Sequence, residues 1–165
     1  MSFEPVKVRD LSNVFDMMSK QWALICAGSL EKHNAMTAAW AGLGVMWNKE
    51  ICSIFVRPQR YTNEFLMAND YFTLNFFGEE HRETLNMLGK LSGRDTDKMA
   101  KCGLTPMDMG DNTVGFEQAE LVLKCKKVFS QDLDISQILD PTDRAFYKDD
   151  LHTMYFGHIV QALRK

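Results

Sequence analysis

The sequence predicts a mainly β fold, a small β-barrel with short helices attached to it. Six apolar segments rich in β-branched and aromatic residues are separated mostly by turn residues. The helical segments are short, whereas a doubly wound sheet needs a long crossover helix between parallel strands. The chain has 165 residues, 45% of them hydrophobic and 25% charged. This composition predicts a single domain, residues 1–165, with a sizeable core.

The strands are predicted from apolar runs that turn residues bound on both sides. The second run is built mainly from small residues, and the fifth alternates almost regularly between apolar and polar positions. Gly42 and Gly44 predict a loop that continues through Glu50. The six strands are predicted at 22–30, 35–40, 51–57, 71–77, 116–129 and 155–162.

The helices are predicted from capping residues and from apolar residues at helical spacing. Ser12 is predicted to cap a first short helix, which is expected to bury Val14, Phe15, Met17 and Met18. Thr62 is predicted to be the N-cap of a helix that ends at Asn69. The other helical segments are predicted at 82–91, from Asp95 or Thr96 to Gly103, at 135–139 and at 144–147.

Composition and charge argue against several classes of function. The formal net charge is −3, which argues against nucleic acid as a partner because nucleic-acid-binding surfaces are basic. The four cysteines are scattered, with no C-x-x-C pair and no histidine at zinc-ligand spacing. Free thiols in a reducing compartment are therefore expected, and no metal site. Without a secretion signal or an apolar stretch long enough to span a bilayer, a cytoplasmic protein with no membrane association is expected.

Residues 55–65, FVRPQRYTNEF, predict an anion site. Pro58 ends the preceding strand and favours a turn that brings Arg57 and Arg60 together. The helix that follows directs its free N–H groups toward the same point. Two guanidinium groups and a helix N-terminus are typical of phosphate sites. The alternative is that both arginines extend into water and pair with Glu64 or another surface acid, which stabilises a protein little.

Residues 34–40, NAMTAAW, predict a surface for a flat ligand. Small side chains such as Ala38 leave the backbone open to close approach, so that its N–H groups can bond ring carbonyls and nitrogens. Asn34 and Thr37 add polar side chains. The alternative is a strand whose small residues pack under a neighbouring element. Trp40 is open to the same two interpretations, stacking on a ligand or packing in the core.

The loop 92–98, SGRDTDK, is the third candidate. Together with Lys90, its cations Arg94 and Lys98 predict a cover over an anionic or electron-rich ligand. The alternative is helix capping by Asp95 and a solvated charge pair. Elsewhere, Gly42-Leu-Gly44 lacks the third glycine and the long helix of a dinucleotide fingerprint. No catalytic triad or carboxylate pair stands out, so no catalytic residue is assigned.

These stretches, taken in order, resemble the flavin reductase-like family of FMN-binding split barrels, and within it the flavoredoxin-like proteins. The resemblance covers most of the chain, from Trp22 to the C-terminal strand. The stretches that carry it are NAMTAAW at 34–40, WNK at 47–49, VRPQRYT at 56–62, FTLNFF at 72–77, KLSGRDTDK at 90–98 and FEQAELVLKC at 116–125.

The resemblance implies a six-stranded Greek-key split β-barrel with short helices, usually a homodimer with FMN close to the subunit interface. It implies that residues 34–40 lie against the isoalloxazine ring, that residues 57–62 hold the phosphate, and that the 90–98 loop lies near the ring or the electron donor. The cofactor-binding residues expected on this basis are Asn34, Ala35, Met36, Thr37, Ala38, Trp40, Arg57, Gln59, Arg60, Tyr61, Thr62, Lys90, Ser92, Gly93 and Arg94.

The function implied is that of an FMN-dependent oxidoreductase in which a reduced nicotinamide, NADH or NADPH, delivers hydride to bound flavin. In such an enzyme the flavin carries the redox chemistry and the protein supplies binding and orientation, so the lack of a catalytic triad is expected. The alternative is a flavoredoxin-type electron carrier that keeps FMN bound and acts with a protein redox partner. A barrel without flavin that serves only as an interaction module is a third possibility.

Overall fold

The computed structural model describes residues 2–165, and the described chain forms ten strands, five α-helices, three short 3-10 helices and one π-helix. The strands are β1 Glu4–Pro5, β2 Ala23–Gly28, β3 His33–Ala38, β4 Ala41–Met46, β5 Lys49–Val56, β6 Tyr71–Phe76, β7 Pro106–Asp108, β8 Val114–Phe116, β9 Leu121–Asp132 and β10 Thr153–Arg164. The helices are α1 Val14–Asp16, α2 Tyr61–Ala68, α3 Arg82–Lys90, α4 Lys98–Lys101 and α5 Pro141–Arg144.

The main sheet is antiparallel, with strand order β3-β2-β6-β9-β10-β5-β4 and with β1 added to β10. Its two outer strands, β3 and β4, follow one another in the chain but are not paired in the sheet, so the barrel is split between them. The long strands β9 and β10 connect its halves, and two irregularities in their register bend the sheet. The predicted fold class is confirmed, with seven strands along the path where six were expected.

The loop predicted at 42–50 is wrong, because most of it forms β4 and the start of β5. The two strands make a hairpin whose turn residues Trp47 and Asn48 both have positive φ angles, 52° and 57°. Glycines lower the β propensity of β4, so its local sequence does not indicate a strand. Pairing with β5 along its whole length supplies the stabilisation that the local sequence lacks.

Several predicted boundaries also change. Asn13, in a left-handed conformation, precedes α1 in place of Ser12, and Phe15 is 91% exposed, although Met17 and Met18 are buried as predicted. The predicted strand 116–129 is divided, because the chain turns after β8 and β9 then continues to Asp132.

Two of the predicted helix starts change as well. The side chain of Asp97, not that of Asp95 or Thr96, caps α4 by accepting a bond from the Ala100 N–H. The helix predicted at 144–147 lies earlier in the chain, because α5 is Pro141–Arg144, with the Asp140 side chain as its cap and Pro141 in its first turn. The segment predicted at 135–139 is a 3-10 helix over Ile135–Gln137.

The core consists of two clusters, one on each face of the sheet. Inside the barrel, Phe72, Leu74 and Ile54 are fully buried. On the other face, Leu85 and Leu88 of α3 pack in a second buried cluster. No helix within residues 2–165 is long and apolar enough to cross a membrane. The second cluster, which also includes Ala35 of β3, fixes α3 against β3, and β3 forms one wall of the site described next.

Candidate functional site

Three adjoining hollows lie beside the edge strand β3. The first, the strand cleft, has a volume of about 260 Å³ and is lined by Met36, Thr37, Ala38, Ala39, Trp40, Phe55, Arg57, Arg60 and His152. The second, the cationic pocket, has a volume of about 140 Å³ and is lined by Gln59, Arg60, Tyr61, Gly89, Lys90, Leu91, Ser92 and Lys98. The third, the outer groove, has a volume of about 430 Å³ and is lined by residues 31–34, Tyr61, Phe65 and residues 93–99. Arg60 joins the first two hollows, and Tyr61 and Lys98 join the second and third.

The turn predicted at Arg57–Arg60 is confirmed, because the Arg60 N–H donates to the Arg57 carbonyl oxygen over 3.0 Å. The helix after it begins at Tyr61, with Arg60 at the N-cap position, so the prediction of Thr62 as N-cap is wrong. Thr62 lies in the first turn, and its buried hydroxyl accepts a hydrogen bond of 2.7 Å from the Asn34 side chain. No side chain caps α2, and the Asn63 N–H in its first turn donates to the Arg60 carbonyl oxygen over 2.9 Å.

Arg57 has a counter-ion within the chain. Its Nη1 donates to Asp150 Oδ2 over 2.7 Å, and both side chains are about one third exposed, 37% and 36%. The Gln59 side-chain amide donates to the same carboxylate oxygen. These two hydrogen bonds lower the pKa of Asp150. For Arg57 this agrees with the alternative interpretation, in which the arginines pair with Glu64 or another surface acid, and the acid is Asp150.

Arg60 and Lys98 share the cationic pocket without a counter-ion. Arg60 Nη2 is buried and has no hydrogen-bond partner among the described residues. The Lys98 side chain is buried, with the residue only 2% exposed, and its Nζ donates to the carbonyl oxygens of Leu88 and Leu91, each over 3.1 Å. Within residues 2–165 neither cation takes part in an ion pair.

The pKa values of Arg60 and Lys98 are both lowered, as expected for cations that have no counter-ion among residues 2–165. Burial lowers the pKa of the Arg60 guanidinium, and the charge of Arg57 lowers it further. Burial lowers the pKa of the Lys98 amine to about 8, and the charge of Arg60 contributes to that shift. An anion bound between the two groups would reverse both effects, so the pocket is electrostatically suited to a phosphate.

The strand predicted to face a flat ligand lies only partly in the cleft. Met36, Thr37 and Ala38 line it, whereas the Ala35 side chain is buried in the core on the α3 side. Thr37 Oγ1 donates to the Leu85 carbonyl oxygen over 2.6 Å, so part of the strand packs under α3, as the alternative interpretation held. Because β3 is an edge strand, its outward backbone groups have no partner in the sheet.

An aromatic wall closes the other side of the strand cleft. Trp40, which is 46% exposed, lies outside β3, and its ring centroid is 4.9 Å from that of His152. The Tyr147 hydroxyl lies 3.0 Å from His152 Nδ1, and the Phe146 ring meets the Trp40 ring edge-on at 6.4 Å. Burial lowers the pKa of His152, and the positive charge of Arg57 lowers it further.

Asp150 and His152 were not identified from the sequence. They are distant from Arg57 along the chain, and only the pairing of Thr153 with Val56 brings them beside it. The local sequence offers no partner for His152. The one available signal is the placement of Asp150 and His152 two residues apart, directly before the final strand.

The 92–98 loop separates the cationic pocket from the outer groove. An ideal Cβ on Gly93 would lie 2.3 Å from Asn34 Oδ1 and 2.8 Å from Tyr61 Cδ1, so only glycine fits there. Arg94 Nη1 donates to the Gln59 carbonyl oxygen over 2.7 Å, and its Nε donates to Glu64 Oε1 over 3.1 Å. Arg94 is therefore engaged in a charge pair, as the alternative interpretation held. Ser92 and Lys90 line the cationic pocket.

Comparison with known families gives one match. The sequence model of the flavin reductase like domain family matches residues 15–164. The chain therefore belongs to the flavin reductase like domain family, as its motifs suggested. A comparison with curated protein sequences gives no match.

Solved structures share the fold at low sequence identity. An FMN-binding domain of a flavin reductases-like enzyme from Shewanella baltica is 17% identical, with a TM-score of 0.72 over 99% of this chain and 77% of that one. Flavoredoxin from Methanosarcina acetivorans is 22% identical, with a TM-score of 0.68 over 98% and 76%. An FMN-binding protein from Thermus thermophilus, solved with bound p-hydroxybenzaldehyde, is 16% identical, with a TM-score of 0.70 over 98% and 81%.

Proposed function

We propose that the protein binds FMN in the strand cleft and cationic pocket and is an oxidoreductase that takes hydride from a reduced nicotinamide. The observation that carries the proposal is the pair formed by Arg60 and Lys98, two cationic side chains that share a pocket and have no counter-ion among residues 2–165. Burying uncompensated charge is costly, so such a pair is typical of a site whose ligand supplies the opposite charge. A phosphate monoester, which carries nearly two negative charges at neutral pH, meets that requirement.

The remaining residues of the site suit the other parts of FMN. Arg60 lies at the junction of the two hollows, so a ligand with its phosphate in the cationic pocket extends into the strand cleft. There Met36, Thr37 and Ala38 with the unpaired edge of β3 offer an apolar surface and backbone hydrogen bonds for a flat ring. Trp40 provides an aromatic face at the other wall.

The expected cofactor-binding residues have different roles in this proposal. Arg60, Tyr61, Lys90 and Ser92 hold the phosphate together with Lys98. Three residues support the wall of the cationic pocket without contacting the phosphate: the Asn34 side chain donates to Thr62, and Gly93 packs against Asn34. Arg57 and Gln59 orient Asp150 at the edge of the strand cleft, and Ala35 supports β3 from the core.

FMN, when bound, supplies the redox chemistry by accepting and donating electrons. The chain itself has to bind the cofactor, orient it and leave one face of the ring open to the nicotinamide. The unpaired N–H groups at the edge of β3 would favour negative charge on the ring, whereas the charge of Arg57 is largely compensated by Asp150. Burial lowers the pKa of His152 and thereby favours its neutral imidazole, which adds a polar group beside the ring.

An electron carrier is the second candidate, because the fold is shared with flavoredoxins from two organisms. In that case FMN stays bound and a protein partner delivers electrons at the exposed rings of Trp40 and Phe146. In both cases we propose a cytoplasmic homodimer. The four buried free cysteines support a reducing compartment, and the exposed apolar hairpin residues Val45, Met46 and Trp47 support an interface.

The visible spectrum of the purified protein tests the proposal. We expect the protein to show a flavin absorption spectrum as purified, or to retain one after FMN is added and the excess is removed. A protein that stays colourless and does not quench FMN fluorescence would overturn the proposal and favour an interaction module. Steady-state oxidation of NADH and NADPH then distinguishes the two candidates. Rapid turnover supports the enzyme, whereas tightly bound FMN with negligible nicotinamide oxidation supports the carrier.

A further inference from the structure

We propose that the 92–98 loop, fixed in place by Arg94, makes the site selective for a mononucleotide flavin over the dinucleotide FAD. The inference rests on the proposed function, since it concerns the end of the site where the phosphate of FMN would lie. It assigns Arg94 to positioning the loop rather than to binding the phosphate.

The loop forms the wall between the cationic pocket and the outer groove. The two hollows have Tyr61 and Lys98 in common, and the loop lines both, with Ser92 in the pocket and residues 93–98 in the groove. A ligand that continued beyond its first phosphate would leave the small pocket at this wall. The outer groove, with Lys32 and His33 among its lining residues, is the nearest space for a second phosphate and a nucleoside.

The wall leaves no gap at Gly93. Its Cα lies so close to Asn34 and Tyr61 that even a methyl group would overlap both side chains. Asn34 is itself fixed, because its amide donates to the Thr62 hydroxyl and both residues are buried. The loop therefore lies against a fixed side chain, Asn34, and against the Tyr61 ring, so we infer that a diphosphate could pass only if the loop moved away from α2.

Arg94 holds the loop in this position through three contacts with one helix and the turn before it. Its guanidinium donates to the Gln59 carbonyl oxygen and to the Glu64 carboxylate, and it lies 5.1 Å from the centre of the Tyr61 ring. At its other end the loop is anchored by Lys98, whose amine bonds the end of α3. An exposed ion pair alone contributes little, but here it acts together with the carbonyl bond and the ring contact.

Loss of the Arg94 contacts should let the loop open and admit the longer ligand. We expect the unmodified protein to bind FMN more tightly than FAD. In Arg94→Ala the ratio of the FAD and FMN dissociation constants should fall about fivefold, the upper range for an exposed charge interaction. Glu64→Gln removes the ion pair but keeps the arginine, and it should lower the ratio in the same direction.

The experiment is a fluorescence titration of FMN and of FAD against the full chain and its variants. Arg82→Ala is the matched control, because Arg82 also pairs with a glutamate, Glu79, and lies over an aromatic ring, that of Trp22 at 4.4 Å, but lines none of the three hollows. The control should leave both dissociation constants unchanged. Thermal melting of each apo variant establishes that it is folded before titration.

Three results would overturn the inference. The unmodified protein could bind FAD as tightly as FMN, or the ratio could stay unchanged in both Arg94→Ala and Glu64→Gln. Alternatively, Arg94→Ala could weaken FMN and FAD by the same factor while Glu64→Gln strengthens both, which would identify Arg94 as a phosphate ligand. Failure of the unmodified protein to bind either flavin would instead contradict the proposed function.

Discussion

Arg57 and Arg60 are three residues apart on one turn, and both line the strand cleft. They differ in their partners, because Arg57 has a counter-ion among residues 2–165 and Arg60 has none. At the strand cleft, Arg57 is paired with Asp150, which also accepts a bond from Gln59. In the cationic pocket, Arg60 has a buried nitrogen without a partner, and its neighbour Lys98 is also unpaired by any acid in residues 2–165. The described chain supplies a counter-ion for Arg57 but none for Arg60 and Lys98, where we propose that a bound phosphate supplies it.

The difference shows that the number of cations near a site does not reveal which of them bind the ligand. An arginine that has a carboxylate partner gains little from an added anion, because the anion must compete with that partner. A half-buried arginine such as Arg60, with a buried nitrogen that has no partner, gains the full charge-assisted hydrogen bond when an anion binds. We therefore expect phosphate affinity to depend on Arg60 and Lys98 and much less on Arg57.

The largest effect expected is that of Arg60→Ala on FMN affinity. Loss of a charged hydrogen bond to phosphate costs about 1.5–3 kcal/mol, or roughly 10- to 150-fold in the dissociation constant. Arg57→Ala should cost no more than about fivefold, because Asp150 already compensates Arg57. Fluorescence titration of both variants measures this contrast. Equal losses in the two variants would remove the distinction between the two ends of the site.

Lys98→Met should weaken FMN binding by about tenfold, since it removes one of the two cations but keeps a similar volume. The substitution also removes the bonds from Lys98 to the Leu88 and Leu91 carbonyl oxygens, so we expect a lower melting temperature of the apo protein but retention of the fold. Lys101→Met is the matched control on the same helix, because Lys101 is exposed and bonds only to Thr96. Titration of both variants and thermal melting of their apo forms check the expectation. If Lys101→Met weakened FMN binding as much as Lys98→Met, the loss would be caused by disturbance of helix α4 and not by removal of the Lys98 amine.

FMN affinity should fall by about fivefold as the pH rises from about 7 to about 9.5. The folded, ligand-free protein holds the Lys98 pKa at about 8, below its ordinary value of 10.5. The phosphate favours the protonated amine, so binding takes up a proton once the pH exceeds that value, and affinity decreases as the pH increases. The phosphate itself is fully ionised over this range. Titrations at several pH values should show a flat profile in Lys98→Met, and a fall that persists there would assign the pH dependence to another group.

The smallest expected effect comes from Asp150→Asn, which removes the counter-ion of Arg57. The variant should bind FMN about twofold to fivefold more tightly, because the freed guanidinium becomes available to a negative ligand. The penalty for Arg57→Ala should then be larger in the Asp150→Asn background than in the unmodified chain. A double-mutant cycle on FMN affinity measures this coupling. Additive effects would show that Asp150 does not restrain Arg57.

The fold class and the location of the site follow from local sequence signals. Pro58 and the strand before it predict the turn that carries both arginines. The Gly-containing loop 92–98 is predicted to cover the ligand bound there. The partners of these residues were not predictable, because they depend on long-range pairing. Asp150 reaches Arg57 only through the register of β5 and β10, and Lys98 is buried only because α4 follows a loop that packs on α2 and α3.

Local signals also failed where tertiary contacts override them. Gly42 and Gly44 suggested a loop, yet continuous pairing with β5 makes that segment a strand. Threonine is a common N-cap residue, but the Thr62 hydroxyl accepts a hydrogen bond from the Asn34 side chain instead. The N-cap position is occupied by Arg60, whose backbone is extended. The same placement fixes the Arg60 guanidinium beside Lys98, so the missed boundary has a direct consequence for the site.

The most direct test is a comparison of FMN with riboflavin, which lacks the phosphate, in the unmodified protein, Arg60→Ala and Arg57→Ala. If Arg60 binds the phosphate, the unmodified protein prefers FMN strongly, this preference largely disappears in Arg60→Ala, and it persists in Arg57→Ala. Equal affinities of the unmodified protein for FMN and riboflavin, or a preference that survives in Arg60→Ala, would contradict the account.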